Sequence, residues 1–195
     1  MWTIPNQITM FRILLIPVFI VVFYLPVSWN HFGAFAVFWL ASISDALDGY
    51  LARKLNQSSA FGAFIDPVAD KLMVVAALVI LIQDYQVWWI SISALLMIAR
   101  EIFISALREF MSSRGKRDDI AVSQMGKYKT AAQMLGIMGL IWQPDYDIPL
   151  ILFNFPHEIL MFIAYSFYVI ATVLTFWSML AYFKIAWPEL SKQNS

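Results

Sequence analysis

The sequence contains no cysteine, few charged residues and no excess of positive charge. Absence of cysteine among its 195 residues excludes disulfides, thiolate nucleophiles and thiolate metal ligands. Only 13% of the residues are charged, well below the roughly 25% that is usual in soluble domains. Thirteen basic and thirteen acidic residues cancel to a net charge of zero, so the composition does not indicate a nucleic-acid partner.

The chain is instead rich in long apolar runs. Hydrophobic residues make up 61% of it and the mean hydropathy is +0.70, values typical of an integral membrane protein. A helix that spans a bilayer needs about 20 mostly apolar residues, and no run alternates with the two-residue period of a barrel strand. The sequence therefore predicts one all-α membrane domain over residues 1–195, with six transmembrane helices at roughly 7–26, 32–54, 61–83, 87–110, 122–143 and 151–184.

The positions of lysine and arginine predict how this domain is oriented. Basic residues lie in or near the N-terminus, the second and fourth turns and the C-terminus, with the single exception of Arg100 inside the fourth run. The first, third and fifth turns contain none. By the positive-inside rule, both termini and turns two and four are expected in the cytoplasm.

Four aspartates flank the second turn, and their position next to apolar runs needs a physical explanation. Asp45 and Asp48 end the second run, and Asp66 and Asp70 begin the third, so an antiparallel hairpin can aim both pairs inward. Carboxylates beside hydrocarbon are costly unless they are paired or bound to metal. Oxygen-only ligands suit Mg²⁺ or Mn²⁺, which often bind a few carboxylates together with substrate phosphates. The hairpin therefore predicts a cation site on the cytoplasmic side.

Two alternatives to a catalytic cation site remain open for these acids. The aspartates could simply pair with Arg53, Lys54 and Lys71, although ion pairing requires neither their fixed spacing nor the glycines Gly49 and Gly62. A transporter with an acidic cation site is the second alternative. Transporters tend to contain internal repeats and a site at the bilayer midplane, whereas these charges cluster at one end and the chain has no visible repeat.

The hairpin reads D-x2-D-G-x2-A-R-x8-G-x3-D-x3-D and resembles the signature of the CDP-alcohol phosphotransferase family. Its fixed positions are Asp45, Asp48, Gly49, Ala52, Arg53, Gly62, Asp66 and Asp70. The segments I-P-N-Q-I-T-M-F-R near the start and I-A-R-E-I-F-I-S-A-L-R-E-F in the fourth run extend the resemblance over essentially the whole chain. Both are similar to bacterial members of the family, which implies the bacterial inner membrane as location.

The resemblance implies a reaction and its cofactors. Members of the family displace CMP from a CDP-linked lipid by attack of an alcohol, here CDP-diacylglycerol attacked by sn-glycerol 3-phosphate. Two Mg²⁺ or Mn²⁺ ions would be held by Asp45 and Asp66, which touch both, by Asp48 and by Asp70, which is also the expected general base. Serine, inositol phosphate or phosphatidylglycerol as acceptor remain alternatives. Membrane lipids as partners and a homodimer are further expectations from relatives.

The same resemblance assigns residues to the CDP-lipid. Those at matching positions, with two from the P-N-Q-I-T element, are Gly49, Ala52, Arg53, Ser59, Gly62, Asn6 and Thr9. Arginine offers a forked donor to diphosphate oxygens. For Asn6 and Thr9, capping of the first helix at its N-terminus is an equally good hypothesis.

A basic cluster is the expected site for the acceptor's phosphate. Arg100 and Arg108 lie on the fourth helix, and Lys127 and Lys129 begin the fifth, all near the same cytoplasmic edge. Bidentate arginine and lysine point charges suit a phosphate monoester. Glu101 is seven residues before Arg108, nearly on the same helix face, so an ion pair between them is the competing hypothesis for Arg108.

Overall fold

A computed structural model describes residues 4–55, 60–116, 124–144, 146, 148–149 and 154–191. Six helices are present in this part of the chain, which confirms the predicted helical class. They are α1 (Ile4–Phe23), α2 (Asn30–Leu55), α3 (Ala60–Tyr85), α4 (Trp88–Ser113), α5 (Gln124–Trp142) and α6 (His157–Leu190). A small antiparallel ribbon, β1 (Ile148–Pro149) paired with β2 (Asn154–Phe155), precedes α6.

The two ends of α6 differ most from the predicted run of 151–184, because the helix begins six residues later and continues six residues further, through Pro188 to Leu190. The last helix is predicted from residue 151 but begins at His157, after Pro156 in an extended conformation. Proline disfavours helical backbone in the residue before it, and that residue, Phe155, pairs in the ribbon instead. Helix α1 ends at Phe23, three residues before Pro26, whose ring cannot continue a helix without losing a hydrogen bond.

Small residues allow α5 and α6 to approach closely. A side chain at Gly136 would place its Cβ 2.7 Å from the backbone nitrogen of Tyr168, which no real contact permits. A Cβ at Gly139 would collide with Ala164. Close backbone approach at small residues is how helices pack in the absence of a hydrophobic driving force between them. Helices α5 and α6 both contribute to the cavity of the candidate site, so this packing supports its wall.

Much of the outer surface of the helices is apolar. Phe64, Trp88 and Phe162 are each at least 70% exposed, which is costly in water but not in lipid. Within the described residues, three segments are long and apolar enough to cross a membrane: Asn6–Phe23, Trp88–Ser113 and His157–Leu190. The fold therefore has the surface of a membrane protein, and four charged residues in the described part of the chain are buried: Arg12, Arg100, Lys129 and Glu189.

A separate buried cluster joins the C-terminal halves of α4 and α6. We call it the α4–α6 clasp, and its members are Ile104, Leu107, Met111, Tyr182 and Ala186. An ion pair closes it, because Lys116 Nζ donates to Glu189 Oε1 over 2.5 Å. The clasp fixes the end of α6 against α4 and so determines where Tyr182 lies.

Candidate active site

A cavity of about 520 Å³ lies between the helices, and all six contribute to its wall. Apolar side chains such as Phe38, Met73 and Ile104 form part of the lining. Its charged lining residues are Arg12, Asp45, Asp70, Lys71, Arg100, Glu101 and Arg108. One space therefore contains residues from both groups that the sequence predicts, the acidic hairpin and the basic cluster.

Arg12 joins two of the predicted aspartates. Its side chain is buried, with 1% of the residue exposed, and its Nη1 lies 2.9 Å from Asp45 Oδ1. The same nitrogen also contacts Asp70 Oδ1. Because both oxygens meet one nitrogen atom of α1, the carboxylates from α2 and α3 lie close together. The motif spacing does not predict Arg12 as a site residue; the available signal was a lone arginine inside the apolar segment T-M-F-R-I-L-L-I-P.

Thr9 reaches the third aspartate from α1. It is fully buried, and its Oγ1 donates a hydrogen bond of 2.5 Å to Asp66 Oδ1. Asn6, one turn earlier, is also buried. Thr9 lies in the second turn of α1 and donates to Asp66, so the alternative that it caps the N-terminus is wrong, whereas for Asn6, in the first turn, both assignments stay predictions. The P-N-Q-I-T element instead faces the acidic hairpin through Thr9.

The carboxylates have the chemistry that a hard cation needs. The side chains of Asp45 and Asp70 are 49% and 44% exposed, so a cation in the cavity could reach both carboxylates. Among the described side chains, no group of three acidic or histidine residues is arranged to hold a metal. The predicted set is incomplete there, because the side chain of Asp48 lies outside the described residues. The metal site accordingly stays a prediction.

In the basic cluster, Glu101 pairs with two cations other than Arg108. Its Oε1 accepts hydrogen bonds from Lys129 Nζ at 2.5 Å and from Arg100 Nη1 at 3.0 Å. Lys129 and Arg100 are both buried. In the described part of the chain, no carboxylate lies within ion-pairing distance of Arg108. The competing hypothesis of an ion pair between Glu101 and Arg108 is therefore wrong.

The cluster retains positive charge beside the cavity. Arg100, Arg108 and Lys129 carry three positive charges against the one negative charge of Glu101, which leaves a net charge of two. The guanidinium carbon of Arg108 lies 5.7 Å from the ring centroid of Tyr182, and that of Arg100 lies 5.9 Å from it. Both arginines line the cavity, so this wall can receive an anion.

The remaining predicted residues are only partly described. Gly62 is buried near the start of α3. Gly49, Ala52 and Arg53 lie on α2 and Lys127 lies on α5, but their side chains are outside the described part of the structure. Ser59 lies outside the described residues altogether. Their assignments stay predictions.

Comparison with known proteins identifies the class to which this fold and site belong. The sequence profile of the CDP-alcohol phosphatidyltransferase family matches residues 2–186, and the chain belongs to that family. Relatives from Escherichia coli (strain K12) and Shigella flexneri serotype 5b (strain 8401) are each 45% identical over 192 residues, covering 98% of this chain and 99% of their own. Each relative is named CDP-diacylglycerol--glycerol-3-phosphate 3-phosphatidyltransferase. The family predicted from the acidic hairpin is confirmed.

Proposed function

We propose that this protein transfers the phosphatidyl group of CDP-diacylglycerol to sn-glycerol 3-phosphate, which yields phosphatidylglycerophosphate and CMP. Relatives that match nearly the whole chain bear the name of this activity. The structural observation that carries the proposal is that the same cavity is lined by Asp45 and Asp70 and by Arg100 and Arg108. The carboxylates would hold cations that neutralise the diphosphate and would supply a base, and the arginines would bind the phosphate of the alcohol.

The chemistry assigns a role to Asp70. A hydroxyl of the acceptor attacks the phosphorus that carries diacylglycerol, the bond from that phosphorus to the bridging oxygen breaks, and CMP leaves with the electron pair. The hydroxyl proton must pass to a base in the cavity. Asp70 lines the cavity with its side chain 44% exposed, so an acceptor bound there could reach its carboxylate, and we assign it as the general base.

We further propose that Asp45, Asp48, Asp66 and Asp70 hold two Mg²⁺ or Mn²⁺ ions. Ions bound there would neutralise negative charge on the diphosphate and on the leaving CMP. The chain's own contribution is orientation. Thr9 holds Asp66 through its hydrogen bond, and Arg12 holds Asp45 and Asp70 side by side.

Arg108 is the principal group proposed for the acceptor's phosphate. It lines the cavity, and its charge is not cancelled by any carboxylate in the described residues. Arg100 and Lys129 share Glu101 and so contribute less, while Lys127 is kept as a fourth candidate. A phosphate monoester uses this positive wall. Serine has no phosphate to place there, and a lipid acceptor would not require the cluster.

The position of the CDP moiety and the membrane arrangement belong to the same proposal. Gly49, Ala52, Arg53, Ser59 and Gly62 would hold the CDP-lipid, with Asn6 and Thr9 approaching from α1. We also propose six membrane spans, cytoplasmic termini and the bacterial inner membrane as location, which the positions of the basic residues and the bacterial source of the relatives support. Acyl chains can then stay in the bilayer while the diphosphate enters the cavity. A homodimer is proposed by analogy with the family alone.

Release of CMP by the purified protein in detergent tests the function. Reactions would contain CDP-diacylglycerol and Mg²⁺ with glycerol 3-phosphate, inositol phosphate, serine or phosphatidylglycerol, and a reaction without acceptor serves as control. We expect release with glycerol 3-phosphate only. Release with a different acceptor would overturn the proposed substrate but keep the family, and no release from folded protein with any acceptor would overturn the proposed activity.

A further inference from the structure

We infer that Tyr182 is a positioning residue whose ring holds the two arginines of the acceptor site, an inference that rests on the proposed function. Its ring centroid lies 5.7 Å from the guanidinium carbon of Arg108 and 5.9 Å from that of Arg100. Tyr182 is 5% exposed and lines the same cavity as both arginines. One aromatic ring thus meets two cations at the wall where a phosphate is proposed to bind.

An aromatic ring supports these cations without cancelling their charge. The negative electrostatic face of the ring attracts a guanidinium, and the attraction is stronger where water is excluded. A carboxylate in the same place would also hold the arginines but would neutralise them, as the shared Glu101 does in part for Lys129 and Arg100. Arg108 has no carboxylate partner among the described residues, so the ring restricts its side chain while leaving its full charge for an anion.

The α4–α6 clasp accounts for the fixed position of the ring. Ile104 lies on α4 between the two arginines, one turn from each, and packs in the same cluster as Tyr182. Ala186 follows Tyr182 by one turn of α6 and is fully buried against α4. The ion pair between Lys116 and Glu189 closes the end of this contact. The ring position is therefore fixed by helix packing and does not depend on a bound ligand.

The test compares Tyr182→Leu with Tyr182→Phe in the CMP-release assay. Leucine fills the clasp without an aromatic face, and we expect it to raise KM for glycerol 3-phosphate about tenfold, the effect of losing about 1.4 kcal/mol. KM for CDP-diacylglycerol should remain unchanged. Phenylalanine keeps the ring face, and we expect it to keep the normal KM for both substrates.

Tyr168→Leu provides a matched control. Tyr168 also lies on α6 and is fully buried, but its ring packs against Trp89 and its hydroxyl donates to the carbonyl oxygen of Ile90. This variant should melt at a lower temperature without any selective change in KM for glycerol 3-phosphate. If Tyr182→Leu behaves in the same way, or if Tyr182→Phe is as impaired as Tyr182→Leu, Tyr182 has only a structural role and the inference is wrong.

A binding measurement separates this inference from the proposed function. Glycerol 3-phosphate is added to the detergent-solubilised protein without CDP-diacylglycerol, and the rise in melting temperature is recorded. We expect a rise for the native protein and for Tyr182→Phe, and a much smaller one for Tyr182→Leu. This pattern would support the role of Tyr182 even if the native protein released no CMP, and absence of any rise in the native protein would overturn it.

Discussion

Replacing Arg12 by methionine tests the contact that motif spacing does not predict. Arg12 is buried and its Nη1 contacts both Asp45 and Asp70, so methionine would fill similar apolar space while removing the shared cation. Two neighbouring carboxylates would then repel each other beside hydrocarbon. We expect a less stable protein whose stability depends more strongly on an added divalent cation.

The size of the effect follows from burial of the partners. A hydrogen bond to a charged group contributes about 1.5–3 kcal/mol. The aspartate side chains are 49% and 44% exposed, so screening by solvent reduces each contact to about 1 kcal/mol. Loss of two such contacts costs about 2 kcal/mol, which in a chain of this length lowers the melting temperature by about 4–8 °C.

Thermal unfolding in detergent, followed by circular dichroism with and without Mg²⁺, measures this effect. Without Mg²⁺ the variant should melt below the native protein, and Mg²⁺ should raise its melting temperature by more than that of the native protein, since a cation can replace the lost charge. Met10→Leu on the exposed face of α1 is the matched control and should change neither value. An unchanged melting temperature, or a loss that Mg²⁺ does not reduce, would refute the reasoning.

Three further variants test the metal site, the acceptor site and the packing of α5. Asp66→Asn keeps an oxygen that can accept from Thr9, so the protein should fold but release no CMP; near-normal release would remove Asp66 from the metal site. Arg108→Ala should raise KM for glycerol 3-phosphate about 10- to 100-fold and leave that for CDP-diacylglycerol unchanged, whereas equal losses would indicate a folding defect. Gly136→Val places atoms against the Tyr168 backbone and should cost about 1–3 kcal/mol in thermal unfolding; native stability would show that α5 and α6 can separate without cost.

The sequence alone determined the helical class, because long apolar runs leave helices as the simplest way to satisfy the backbone in lipid. It also determined the family, since the spacing of Asp45, Asp48, Asp66 and Asp70 is a local property of two helices and one turn. The hairpin pattern also predicted that the aspartates face a common space, and Asp45 and Asp70 do meet there, at Nη1 of Arg12.

Only the tertiary structure decided which charged groups meet across distant helices. Helical periodicity placed Glu101 and Arg108 on one face of α4. In the structure Glu101 instead forms an ion pair with Lys129 of α5, and Arg108 lines the cavity. Arg12 reaches Asp70 across 58 positions of sequence. Helical periodicity fixes neighbours three or four residues apart, whereas contacts between helices depend on how their surfaces pack. For that reason the acidic hairpin could be predicted from the sequence, whereas the contacts that Arg12 and Tyr182 make in the site could not.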